Sequence, residues 1–202
     1  MTHRTGRLDF LGLVVFITAL LAFFIPQRAS AHGELLLRIS AATKRIAAAT
    51  NNFAQLYLER GELYREDQNW VAAEADYAKA EQLDPKLVGV DFCRARMLDD
   101  AGRLPESRAI YDKYLNRYPT DGEALIGRAR VLVKLKDRNA AIPDYRRGLE
   151  LSRDPQPEFY LELAQNLSAE GQGSDALQAL DDGVKKLGPI PTLQVLTLLT
   201  KN

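Results

Sequence analysis

One spacing constrains this chain more than any other feature. Gly61, Tyr77 and Pro85 are followed 34 residues later by Ala95, Tyr111 and Pro119, and the first two recur again as Ala129 and Tyr145. The third proline arrives two residues late, at Pro155, while Arg60, Arg94 and Arg128 keep the step. A fixed period of this size is the mark of a repeat array, in which each unit buries its apolar face only against its neighbours.

Within one period the pattern is helical twice over. Tyr57, Arg60, Gly61 and Tyr64 fall at i, i+3, i+4 and i+7, one face of a helix. Ala73, Tyr77 and Ala80 form a second such face. Asn69 is placed to start that helix and Asp84-Pro85 to stop it, because the residue before a proline avoids the α region. Each repeat is therefore two helices and a turn. Gly61, Ala95, Ala129 and Ala164 are small where helices cross, and Tyr64, Tyr77, Tyr111 and Tyr145 fill the space beside them.

These residues resemble the tetratricopeptide repeat (TPR) family. Counted from Ala54, the first copy carries Tyr57, Gly61, Tyr64, Ala73, Tyr77, Ala80 and Pro85 at the family's positions. The second carries Ala95, Leu98, Ser107, Tyr111 and Pro119, with Tyr114 where the family has a small residue. The third carries Ala129, Leu132, Ala141, Tyr145 and Gly148. The fourth, from Pro157, fits more loosely through Tyr160, Ala164, Leu167, Ala176, Leu180 and Gly183. The resemblance implies an all-α fold: a right-handed α-α superhelical solenoid of about four helix pairs, over 54–87, 88–121, 122–156 and 157–190, with capping helices at 32–53 and 191–202.

The flanks read differently. Residues 1–31 have Arg4 and Arg7, an apolar run from Phe10 to Ile25, and Ala29-Ser30-Ala31, the layout of a signal peptide cleaved after Ala31. This predicts a periplasmic or secreted protein. The alternative is an uncleaved helix through residues 8–25 that anchors the chain in the inner membrane, facing the periplasm. Leu35, Leu36, Ile39, Ala42, Ile46 and Ala49 make an apolar stripe over 33–50, a helix that covers the first repeat. Leu193, Leu196 and Leu199 give the last segment a contact face of its own.

Chemistry-bearing sets are missing from the sequence. Lys+Arg and Asp+Glu are both 27, so no net field draws the chain to nucleic acid. Charge is uneven along it, acidic over 54–87 and 157–190 and basic over 122–156. His3 and His32 are the two histidines, and Cys93 is the single cysteine, read as a small buried apolar residue. Asp99-Asp100 and Asp181-Asp182 are helix neighbours, which point about 100° apart and do not converge. No enzyme activity, cofactor or metal is expected.

Two sets of side chains remain as candidates for specific work. Arg60, Arg94 and Arg128 either span the interior of their own helix pair to meet a carboxylate or serve as ligand contacts, and the first reading is the one expected. Asp76 and Asp144 are placed to pair with Arg60 and Arg128, and Asp112 is a candidate for Arg94. The family's concave groove, carried over residue by residue, implies a peptide-binding set of Leu58, Glu62, Arg65, Phe92, Arg96, Asp99, Ile126, Arg130, Leu161 and Gln165. On that reading Leu58, Phe92, Ile126 and Leu161 form an apolar row. Arg96 and Arg130 either hold a ligand carboxylate or pair with local acids such as Asp99 and Glu123. The resemblance implies a non-catalytic scaffold or assembly factor of the cell envelope whose partner is a protein or peptide segment. The other reading is a membrane-anchored structural subunit of an envelope complex.

Overall fold

The computed structural model describes residues 32–188. The signal-peptide reading of 1–31 and the capping reading of 191–202 lie outside those residues. The described chain is helical throughout, with no strand among the described residues. It divides at Asp84–Pro85 into two compact units.

The first unit holds α1 (residues 32–48), α2 (Phe53–Glu66) and α3 (Trp70–Leu83). Helix α1 ends two residues short of the expected 50. It buries Ile39 and Ala42 but leaves Leu36 and Leu37 exposed. Arg38–Glu66 at 2.9 Å and Arg45–Glu59 at 3.0 Å tie it to α2. Asn69 caps α3 by accepting a hydrogen bond from the Ala72 backbone N–H at 3.2 Å, and α3 stops before Asp84. At Gly61 α2 and α3 approach closely: a Cβ there would stand 2.6 Å from Cε1 of the fully buried Tyr77.

The second unit holds three further pairs: α4 (Val90–Asp100) with α5 (Leu104–Arg117), α6 (Gly122–Lys134) with α7 (Arg138–Leu151), and α8 (Pro157–Ala169) with α9 (Gly173–Leu187). Asp121 and Asp137 cap α6 and α7 through the backbone N–H groups of Ala124 and Ala140. One apolar cluster runs through α6–α9, from Ile126 and Ala129 to Ala179 and Leu180. Another joins α4, α5 and α6 around Ala95, Tyr111 and Val131. Within α4/α5, the buried Ser107 hydroxyl donates to the Ala95 carbonyl at 2.7 Å, so the polar residue at this small position is satisfied.

The turn inside every pair uses one left-handed residue in the same register: Gln68 at φ 58, Gly102 at φ 74, Lys136 at φ 67 and Gly171 at φ 75. Glycine adopts this conformation freely, whereas Gln68 and Lys136 hold it against their Cβ.

The arginines at the seventh position do what the register predicts in two repeats. Arg60 grips Asp76 with Nε and Nη2 at 2.7 and 2.8 Å, and also donates to Thr43 on α1 at 3.1 Å. Arg128 grips Asp144 at 2.7 and 2.8 Å. The two-pronged carboxylate contact raises both guanidinium pKa values above the ordinary arginine range, against the opposing effect of burial. The second repeat differs. Asp112, a candidate partner for Arg94, binds Arg128 instead at 2.9 Å, and Arg94 meets Asp91 at 3.3 Å. Ile110 stands where the first and third repeats have Asp76 and Asp144.

Candidate functional site

In the second unit, α4, α6 and α8 share a face, and ion pairs between helices establish this. Lys134 of α6 reaches Asp99 of α4 at 2.6 Å. Arg130 of α6 reaches Glu162 of α8 with two parallel bonds, Nε to Oε2 at 2.8 Å and Nη2 to Oε1 at 2.6 Å. The Tyr145 hydroxyl of α7 donates to the same carboxylate at 2.9 Å, and the Phe159 ring lies 4.9 Å from the Arg130 guanidinium. Arg130 is held above the ordinary arginine range first by Glu162. Burial, followed by the Glu162 charge, pushes the Tyr145 phenol up, so it stays a donor. The cross-links restrict side chains that would otherwise sample many rotamers.

The expected groove residues are distributed unevenly on this background. Phe92 is half-buried, with Tyr111 and Tyr114 rings at 6.2 and 5.8 Å, and Arg96 lies 5.6 Å over its ring. Leu161 is half-buried and Gln165 exposed, and both line a cavity of about 580 Å³ between α8 and α9. Asp99 is committed to Lys134, and Arg130 to Glu162. The carboxylate that Arg130 was expected to hold for a ligand, or to find locally in Asp99 or Glu123, is supplied by Glu162.

Ile126 is 2% exposed and lies against the α7 backbone at Gly148. Leu58, in the first unit, is 7% exposed. Both are buried, so the accessible part of the apolar row is Phe92 and Leu161. At Ile126 the reason is local: the facing residue, Gly148, lets α7 approach until it covers the side chain. Also in the first unit, Glu62 accepts the Tyr77 hydroxyl at 2.5 Å and Arg65 at 3.2 Å, so these two candidates bind each other.

Two residues that organise the second unit were not singled out from the sequence. Glu162 is one. The other is Asp91, 3% exposed, which takes Arg94, Lys113 at 3.1 Å and Arg117 at 2.5 Å. Asp91 sits at the fourth position, where the other repeats have Tyr57, Leu125 and Tyr160. An acid at an apolar position surrounded by later basic residues was the available signal. Cys93, expected buried, is half-exposed.

No group of His, Cys, Asp and Glu among the described residues is arranged to hold a metal ion. No helix among them is long and apolar enough to cross a membrane. A second cavity, about 550 Å³, is lined by charged residues including Arg146, Glu150, Asp182 and Lys185.

Comparison with known proteins agrees with this geometry. Residues 122–155, the α6/α7 pair, match the model of the tetratricopeptide repeat. A tetratricopeptide repeat protein from Parabacteroides merdae ATCC 43184 superposes with a TM-score of 0.63 at 20% identity, over 86% of this chain and 67% of that one. This chain has the tetratricopeptide-repeat fold. MamA (41-end) from Desulfovibrio magneticus RS-1 superposes with a TM-score of 0.62 at 12% identity over 83% of this chain and 94% of that one. YrrB, described as a TPR protein with an unusual peptide-binding site, matches with a TM-score of 0.59 at 23% identity over 72% and 74% of the two chains. No curated protein sequence matches the chain. Within the TPR frame, Arg130–Glu162 and Lys134–Asp99 are links between consecutive repeats, and Arg60–Asp76 and Arg128–Asp144 are links inside one repeat.

Proposed function

We propose that the chain is a non-catalytic TPR scaffold that binds an apolar segment of another protein on the shared face of α4, α6 and α8. The observation that carries this reading is the pairing on that face. Arg130–Glu162 and Lys134–Asp99 neutralise charges there and link the helices, while Phe92 of α4 and Leu161 of α8 stay half-buried. A fixed face with apolar side chains between satisfied ion pairs loses little entropy when an extended or helical segment lies on it. YrrB, a structural neighbour, is itself described as peptide-binding. Specificity then comes chiefly from apolar contacts, with Arg96 the basic group nearest Phe92.

The cellular setting follows from the first 31 residues. The protein acts in the periplasm or outside the cell after cleavage behind Ala31, as an assembly factor of the envelope. If the apolar run is retained, the same repeats serve an inner-membrane complex as an anchored subunit. The mass of the exported protein distinguishes the two: a start at His32 supports the first, a start at Met1 the second.

For the binding reading, peptides are selected from a random library against the whole chain and their affinity is measured with Phe92→Asp and Leu161→Asp. Each substitution should weaken binding by about tenfold or more. Unchanged affinity in both, with native helix content, would remove this face as the binding site.

A further inference from the structure

Tyr77, Tyr111 and Tyr145 occupy one register position, 34 residues apart, and all three are buried. Two of them deliver the hydroxyl to a glutamate of this chain. Tyr77 donates to Glu62 at 2.5 Å, and Tyr145 donates to Glu162 at 2.9 Å. The Tyr111 hydroxyl makes no hydrogen bond to any described residue, although Tyr111 is only 2% exposed. A buried hydroxyl is costly to leave without an acceptor, so this one calls for an explanation.

The register supplies it. Glu162 is the sixth residue of its repeat, counted from Pro157, and meets the tyrosine of the repeat before. The sixth residue counted from Gly122 is Gly127. The geometry agrees with the count: a Cβ on Gly127 would overlap the Tyr111 hydroxyl oxygen and stand 2.7 Å from Cζ. Tyr111 therefore meets bare backbone of α6 where Tyr145 meets a carboxylate of α8. The second donor to Glu162 has a counterpart as well. Arg130 and Arg96 are both ninth residues of their repeats. Burial and then the Asp99 charge push the Tyr111 phenol up, and Arg96 opposes them, which places Arg96 near the hydroxyl. Asp99 itself is engaged by Lys134 at 2.6 Å.

We propose that the Tyr111 hydroxyl, beside Gly127 and Arg96, is a subsite for one acidic side chain of the bound segment. That side chain does for Tyr111 what Glu162 does for Tyr145. The donor is a residue of a second helix, reached because α6 has no side chain at 127. A segment that runs from Phe92 on α4 to Leu161 on α8 crosses α6 on the way, so it presents a side chain there rather than a chain end. The proposal rests on the peptide-binding reading above and adds one required charge to a segment otherwise recognised by apolar contacts.

The test has a part that needs no peptide. In the free chain at neutral pH, Tyr111→Phe should leave the denaturant midpoint unchanged, whereas Tyr145→Phe should lower it. An equal loss in both would show that the Tyr111 hydroxyl already has an acceptor, and would overturn the subsite. C-terminally amidated library peptides are then selected against the whole chain and should share an acidic residue. Replacement of that acid by alanine should weaken binding about tenfold to the wild-type chain and less than about threefold to Tyr111→Phe. Peptides that bind without a shared acid, or whose acid loses equally against both chains, overturn the subsite and leave the peptide-binding reading. If no peptide binds, that reading fails, and titration with acetylglutamate methylamide decides the subsite. A saturable shift of the Gly127 amide that is absent in Tyr111→Phe keeps it; no shift overturns it.

Discussion

The α6/α7 and α8/α9 pairs follow the same register yet close differently. Where the two helices face each other, α6/α7 carries Arg128 and Asp144, joined by two bonds at 2.7 and 2.8 Å. The same register positions in α8/α9 carry Leu163 and Ala179, both buried in the apolar cluster of the unit. One position can thus be filled by an ion pair or by two apolar groups, and the fold accepts either. The two solutions differ in what their partial loss costs. A lone guanidinium left without its carboxylate is penalised, whereas an apolar contact that shrinks leaves only a cavity. The closed interior pair is also tight in a second place: Gly148 of α7 meets Ile126 and the Gly122 carbonyl of α6. The α8/α9 pair instead opens into an uncharged groove.

The largest expected effect tests that tightness. A Cβ on Gly148 would stand 2.6 Å from Ile126 Cγ1 and 2.9 Å from the Gly122 carbonyl oxygen. Gly148→Val should therefore cost about 3 kcal/mol in urea unfolding. A cost below about 1 kcal/mol would mean that the interior pair gives way as readily as the open one.

Next is the ion pair itself. Asp144→Ala should cost about 2 kcal/mol, less than for a fully buried pair because Asp112 still holds Arg128 at 2.9 Å. Arg128→Leu together with Asp144→Ala writes the α8/α9 solution into α6/α7 and should recover most of that loss. A double variant no more stable than Asp144→Ala would show that the two solutions are not interchangeable.

The turns give a smaller, opposite pair of effects. Lys136 holds φ 67 where α8/α9 has Gly171 at φ 75. Lys136→Gly should stabilise by about 1 kcal/mol and Gly171→Lys should destabilise by a similar amount, both read from denaturant midpoints.

An alkaline titration sharpens the comparison further. Burial raises the Tyr111 and Tyr145 phenols, so the folded chain keeps protons that the unfolded chain releases near its ordinary tyrosine pKa of about 10. Stability contributed by these groups is full below that pH and falls as pH rises above it. Tyr145→Phe should flatten the fall. The smallest effect belongs to Arg146–Asp175, a pair between α7 and α9 that is about half exposed on both sides. Arg146→Ala should change stability by less than about 0.5 kcal/mol.

Much of this architecture is legible in the residues. The 34-residue step, the capping Asn69 and the stop at Asp84-Pro85 fix helix pairs through local rules, and Arg60–Asp76 and Arg128–Asp144 follow because both ends repeat in register. The links between repeats are harder to read. Glu162 acts on Arg130 of the preceding repeat and nothing local marks it, whereas Asp91 acts inside its own repeat on Lys113 and Arg117 of α5 and is marked only as an acid at an apolar position. Leu58 and Ile126 are groove residues only by the family resemblance, and a position carried over from a family says nothing of how deeply this chain's own neighbours cover it. Arg130 was open to a ligand or a local acid, and only the packing of α6 against α8 brings Glu162 to it.

The most direct test of the account is an NMR titration of the methyl-labelled full chain with a library-selected peptide. Shifts should concentrate at Leu161 and the methyls around Phe92, on the shared face of α4, α6 and α8. Shifts concentrated instead around Leu149 and Leu163, beside the charged cavity, would contradict it.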